Sequence, residues 1–150
     1  MIHYDLTQLP PTSSVHKRIC FDGDTLRVSG PSYSGVIRIW GIDAPERGQA
    51  WFIQSLEALT QHLQNIELLL IPITWDRYNR LIAKLLMHQY EDVGLRMILD
   101  GHAWHENLHA PHANDYRSAH VAARTAKIGL WSLPSPHIPP WIFRRKFHQP

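Results

Sequence analysis

The chain has 150 residues and a near balance of charge, 15 lysines and arginines against 13 aspartates and glutamates, for a formal net charge of +2. Hydrophobic residues at 44% and charged residues at 19% exclude a disordered chain, and the length suits one domain with a proper core. Cys20 is the single cysteine, which excludes a disulfide or a thiolate zinc cluster built from these residues alone.

In chain order, residues 1–14 are polar, contain the pair Pro10-Pro11 and read as an extended lead-in. Val15 to Phe21 predicts a strand with Val15, Ile19 and Phe21 on one face, in which Cys20 is a buried, inert thiol. The turn Asp22-Gly23-Asp24 leads into a second strand over Thr25 to Val28, and a third covers Gly35 to Ile42. From Gln49 to Gln64 the apolar period becomes helical, with Phe52, Leu56, Leu59 and Leu63 on one stripe. Ile66 to Ile73 and Leu81 to Met87 predict two more strands around the turn Asp76–Arg80. Val93 to Leu99 predicts a short helix stopped by Gly101. A last helix starts near Asn114, presents Tyr116, Ala119, Ala123 and Ala126, and closes at Gly129. The tail, residues 134–150, is rich in proline and arginine and is expected to be extended. A domain over residues 15–133 follows, of class α+β, with five antiparallel strands and helices outside, in which pattern alone does not choose a barrel.

The chemistry-bearing residues gather around three turns. Asp24 and Asp43 each close a strand-edge turn, where carboxylates can converge on a hard cation, although Asp-Gly-Asp is equally an ordinary hairpin turn. Arg38 lies mid-strand between Ile37 and Ile39, and a guanidinium there needs an anion, either a phosphate or a structural ion-pair partner. Arg80 follows a turn in which Asn79 suits the left-handed conformation. Glu46 lies three residues beyond Asp43 and past Pro45, placed either to activate water or to enter the following helix as an acid favoured at its N-terminus.

Taken together, Asp22-Gly23-Asp24-Thr25, Ile37-Arg38-Ile39-Trp40-Gly41-Ile42-Asp43-Ala44-Pro45-Glu46, Asp76-Arg77-Tyr78-Asn79-Arg80-Leu81, Gly101-His102-Ala103-Trp104 and Gly129-Leu130-Trp131 resemble the staphylococcal (thermonuclease-type) nuclease family, in that family's order. The resemblance spans about residues 15–131 and implies an OB-fold five-stranded β-barrel with three helices. It implies Asp24 and Asp43 as calcium ligands with the Ala44 carbonyl as a third, Arg38 and Arg80 on the scissile phosphate, Glu46 as general base, and Asp22 behind them. Tyr78, Trp104 and His105 join the two arginines as substrate-binding side chains on this reading. Two departures stand out: Asn79 replaces the family's usual glycine, and Glu106 stands where relatives often carry an aromatic.

The resulting expectation is a calcium-dependent phosphodiesterase acting on DNA, with RNA as a second substrate, and leaving 3′-phosphates. The alternative is a non-catalytic OB-fold module that binds nucleic acid or protein, with Trp40, Tyr78 and Trp104 as stacking platforms. His102, His105, His109, His112 and His120 form a His-rich stretch read as solvated rather than zinc-binding, and Arg144, Arg145 and Lys146 as a solvated basic end. No leader-like or membrane-spanning run is present in these residues, so an intracellular location, no membrane association and no obligate protein partner are expected.

Overall fold

A computed structural model of the chain describes residues 3–147. Its strands are β1 (Ser13–Val15), β2 (Lys17–Cys20), β3 (Thr25–Ser29), β4 (Ser34–Ile39), β5 (Ile42–Asp43), β6 (Leu68–Trp75), β7 (Leu81–Met87), β8 (Glu91–Asp92) and β9 (Trp104–His105). The helices are α1 (Phe52–His62), α2 (Val93–Leu99), α3 (Asn114–Thr125) and α4 (Pro140–Phe147).

The main sheet runs β1-β6-β7-β4-β3-β2. Its two ends are one continuous stretch of chain, because only His16 separates β1 from β2. Val15 pairs with Leu68 of β6 while Lys17 pairs with Ser29 of β3, so the first strand bridges both edges and closes five long strands into an OB-type barrel. All pairs are antiparallel except β4 with β7, which run parallel with Arg38 beside Ile82. The class is α+β, as the strand and helix periods predict.

The same crossing corrects the predicted face of the first strand. Val15 is fully buried, but Ile19 and Phe21 are exposed. The break at His16 shifts the alternation by one, so Arg18 and Cys20 turn toward the body instead. The Arg18 guanidinium then donates to the carbonyls of Leu63 and Ile66, and burial pushes the Cys20 thiol up, keeping it protonated. The predicted third strand is two pieces, since Gly41 adopts a φ of 80° and turns the chain between β4 and β5.

Inside the barrel lie Leu26, Val28, Ile37, Ile39, Leu68, Leu70, Leu81, Ala83 and Leu85, the alternate positions of β3, β4, β6 and β7. Helix α1 and its capping residue, with α2, close it through Leu59, Leu63, Val93, Met97 and Ile98, and α3 adds Tyr116 and Ala119. The Tyr116 hydroxyl donates to Asp92 Oδ2 at 2.6 Å, which ties α3 to the start of α2. Pro72 supplies no backbone donor, and the β6–β7 register slips just there, between Pro72 and Thr74. The lead-in is held down as well: Tyr4 stacks near Tyr33 at 4.9 Å and its hydroxyl accepts from the Ser34 amide at 2.7 Å.

The tail is the largest correction. It is extended only to Pro139, and Pro140 then opens α4, because a proline fits the first turn of a helix where no amide partner is needed. Residues 148–150 of the predicted tail lie outside the described residues. Among the described residues no helix is long and apolar enough to cross a membrane.

Gly101, the predicted stop of α2, has a φ of 72°, and a Cβ there would lie 2.2 Å from the Ile128 carbonyl oxygen. The clash is with backbone in a left-handed conformation, so neither rotamer change nor small drift relieves it. Gly101→Ala is expected to lower unfolding free energy by about 3 kcal/mol, read as a shift in the urea midpoint. An unchanged midpoint would show that the contact between the α2 exit and Gly129 yields easily.

Candidate active site

The acids and Arg38 meet at one end of the barrel because three turns are packed against one another. Gly23 permits the closest approach: a Cβ on it would lie 2.8 Å from the Cβ atoms of both Ala44 and Ser55. Asp22 shapes this turn by accepting the backbone amides of Asp24 at 2.9 Å and Thr25 at 2.8 Å on one oxygen. Asp24 reaches across to β5, where its Oδ2 accepts the Ala44 amide at 2.7 Å, while Oδ1 accepts the Thr25 hydroxyl at 2.7 Å. Asp43 is held beside it by the short β5–β9 ladder, in which Asp43 pairs with Trp104.

Arg38 projects from β4 between the two carboxylates. Its guanidinium lies 3.3 Å from Asp43 Oδ1 and 3.8 Å from Asp24 Oδ2, and donates to the Ile42 carbonyl at 2.8 Å. Asp24 and Asp43 are 4% and 1% exposed, so both carboxylates are shut away from bulk water.

Their protonation follows from that burial. Burial works against the charged form of Asp24, but Arg38 and hydrogen bonds from Asp22, the Ala44 amide and Thr25 hold it below the usual carboxylate range. Burial lifts Asp43 above that range, with the nearby Asp24 charge adding to it and the arginines opposing. Burial and the Asp24 charge push Asp22 up to about 8. Burial opposes the Arg38 cation as well, but Asp24, Asp43 and Glu106 overcome it and raise its pKa.

Glu46 follows Pro45 on the same turn, and its Oε1 accepts Arg144 Nη1 at 2.7 Å. The same guanidinium forks onto Asp43, at 2.9 Å to Oδ1 and 2.8 Å to Oδ2. Arg144 comes from α4, about a hundred residues away in sequence, and sequence reasoning assigned it only to a basic end. Its nearest sequence signal is the apolar pair Phe143 and Phe147 four residues apart after Pro140, the period of a helix, which would fan the intervening basic residues to different sides.

Arg80 is positioned differently. Its Nε donates to Asp76 Oδ2 at 2.6 Å, inside a turn in which Asn79 takes a φ of 60° as its residue type favours. Asp76 also accepts the amides of Tyr78 and Arg80, and those bonds from Arg80 and Tyr78 prevail over burial to lower its pKa. Tyr78 is 63% exposed, with the guanidiniums of Arg77 and Arg80 against its ring at 4.9 and 5.4 Å. Trp104 and His105 lie inside the protein instead. Trp104 packs edge-on against Trp131 at 4.4 Å, and His105 Nε2 pairs with the Ala110 carbonyl at 2.8 Å. Glu106 is buried and accepts the amides of Leu108 and His109, so in place of an aromatic it caps this loop.

His102, His105 and His120 are buried or half-buried, which corrects the expectation of a solvated stretch, while His109 and His112 are exposed. His102 Nδ1 accepts from the Trp51 indole at 3.0 Å, His109 pairs with Glu106 at 2.9 Å, and His120 accepts the His105 amide at 3.3 Å. Among the described residues no three His, Cys, Asp or Glu side chains converge as a ready metal cage. A groove of about 480 Å³ beside α1 and α2 contains none of the acids named above, and its charges are paired among themselves, Arg96 with Glu91 and Asp100.

With this geometry, the sequence likeness becomes decisive. A family model described as staphylococcal nuclease homologue matches residues 36–133. The chain belongs to the staphylococcal nuclease family. The match begins at Val36, beyond Asp24, yet the β3–β4 pairing of Thr25 with Arg38 puts Asp24 beside the matched segment. Among relatives, an uncharacterized endonuclease of Haemophilus influenzae is 32% identical over 126 residues, covering 83% of this chain and 69% of its own. Protein ParB of Escherichia coli is 30% identical over 135 residues, covering 83% and 75%. A micrococcal nuclease of Shigella flexneri is 28% identical over 133 residues, covering 83% and 76%.

Proposed function

We propose that this member of the family is a calcium-dependent nuclease that hydrolyses DNA, with RNA as a second substrate, to 3′-phosphate products. The observation that carries the reading is the convergence of Asp24, Asp43, Arg38 and Glu46 at one end of the barrel. Relatives that bear the names endonuclease and micrococcal nuclease support the reaction class.

The donor set fits a hard cation. Two buried carboxylates share the Arg38 guanidinium, at 3.8 Å and 3.3 Å, and a second guanidinium from a distant helix is drawn onto Asp43, as expected where negative charge is concentrated. Asp24, Asp43 and the Ala44 carbonyl would hold calcium, with water completing the shell. Bound there, calcium would supply charge stabilisation at a phosphoryl oxygen.

The remaining work falls to the chain's own side chains. Arg38 presents a guanidinium fixed by the Ile42 carbonyl, ready to donate to a phosphoryl oxygen as charge develops. Arg80, braced by Asp76, would donate to the phosphate from its own turn, and Tyr78 would offer its exposed ring to the substrate. Glu46, 28% exposed, accepts the proton of the attacking water once Arg144 leaves it. The 5′-oxygen departs and phosphate stays on the 3′ side.

The non-catalytic alternative is weaker on one specific ground. Of the three stacking platforms it needs, Trp40 packs on Tyr116 at 5.2 Å and Trp104 is buried, which leaves only Tyr78 well exposed. The test is degradation of duplex DNA and of RNA with added calcium, with and without excess chelator, followed by end-group analysis. Cleavage that needs calcium and leaves 3′-phosphates is expected. Full cleavage in chelator would remove the calcium site, and binding without cleavage would restore the non-catalytic alternative.

A further inference from the structure

The helix α4 carries a residue for which the proposed chemistry has no use. Arg144 covers both oxygens of Asp43 and one of Glu46 with three charge-assisted hydrogen bonds of 2.7–2.9 Å. In this arrangement both Asp43 oxygens and Glu46 Oε1 already accept Arg144 N–H groups, so a cation or a proton arriving there competes with the guanidinium. We propose that α4 is an autoinhibitory latch, in which Arg144 occupies the carboxylates that a divalent cation takes, and the cation must displace it to open the site. This rests on the calcium reading above.

The latch is seated well enough to close and loosely enough to open. Trp141 packs edge-on against Trp104 at 5.7 Å, and the Gln49 side chain links the two sides by donating to the Ile138 carbonyl and accepting the Glu46 amide at 3.0 Å. Beneath the helix remains a cavity of about 380 Å³ lined by Pro45, Trp104, Leu130, Pro136, Ile138 and Phe147. The side chains around this groove do not close-pack on one another, so this seat holds more weakly than a close-packed one. The Arg144 side chain is 39% exposed, so water and ions reach the ion pair from one side.

Charge favours exchange. In the closed form Asp24, Asp43 and Glu46 face two guanidiniums, from Arg38 and Arg144. A divalent cation in place of Arg144 brings two positive charges where one sat, and matches the three carboxylates together with Arg38. A latch closed nine times in ten weakens the apparent cation affinity about tenfold, because only the open fraction binds.

Calorimetric titration of the full chain with calcium chloride, without nucleic acid, tests this directly. Arg144→Gln is expected to bind calcium about tenfold more tightly than the unaltered chain, and Arg145→Gln to bind like it. Equal affinity in Arg144→Gln would overturn the latch and leave the calcium site standing. Weaker affinity would make Arg144 a support of the site and overturn the latch as well. Calcium binding by neither protein would remove the calcium reading and the latch together. Amide hydrogen exchange of the unaltered chain reads the helix itself, independently of how any variant folds. Exchange across residues 140–147 is expected to speed up at saturating calcium, and unchanged protection there would overturn the latch.

Discussion

Arg38→Lys is expected to lower turnover by about 10²–10³-fold, the scale of a lost positioned donor in a transition state. The charge survives the change, so the loss isolates geometry. Arg38 spends one nitrogen on the Ile42 carbonyl at 2.8 Å and directs another into the space between Asp24 and Asp43. A lysine ammonium is a single point at the end of a flexible stem and cannot hold both positions at once. Calcium affinity and the melting temperature should move little by comparison, since a cation still faces the two carboxylates. Turnover within about threefold of the unaltered chain would make Arg38 a structural ion-pair partner, the other role its position allows.

Most of the fold was legible because its local signals agree with its tertiary environment. Leu26, Val28, Leu81, Ala83 and Leu85 alternate as the barrel interior requires, and Phe52 and Leu59 recur at helical spacing on α1. Asn79 and Gly101 take the positive φ that their turns require. The first strand misled because alternation holds only within one uninterrupted ladder. At His16 the strand exchanges β6 for β3 as its partner, and no residue there announces the change. α4 escaped notice because three prolines precede it in the tail and a fourth, Pro140, opens it, a position in the first turn that a helix tolerates.

The candidate site was legible in part for a similar reason. Asp24, Arg38, Asp43 and Glu46 sit at or beside strand ends, where short-range pattern fixes both position and direction. Side chains whose surroundings depend on distant packing were harder to read. Trp104 belongs to a cluster with Leu130, Trp131 and Trp141, whose members come from three separate parts of the chain. His105 is fixed by Ala110 and His120, which no spacing rule connects to it. Arg144 is the extreme case, because its role depends on α4 folding back over Glu46, an event that leaves no trace within a local window.

Glu46→Gln is expected to cut single-turnover cleavage by about 10²-fold or more, the usual scale for a general base. The competing role was an acid at the entrance of the helix predicted from Gln49, where a helix N-terminus favours negative charge. The structure weakens that role, since α1 begins at Phe52 and has no acid in its first turn. Five residues separate Glu46 from that start, beyond the reach of the terminal dipole. The Glu46 carboxylate instead turns toward Asp43, close enough that one guanidinium bridges the two. Glutamine keeps the shape and can still accept a hydrogen bond, but it cannot take a proton from water. Calcium affinity in Glu46→Gln should stay near that of the unaltered chain, or rise modestly as the Arg144 fork loses one charged partner. A glutamate that merely steadied the fold would show the reverse pattern, a lowered melting temperature with cleavage nearly intact. Normal cleavage in the Gln variant would therefore take Glu46 out of the mechanism and leave its turn with a structural task alone.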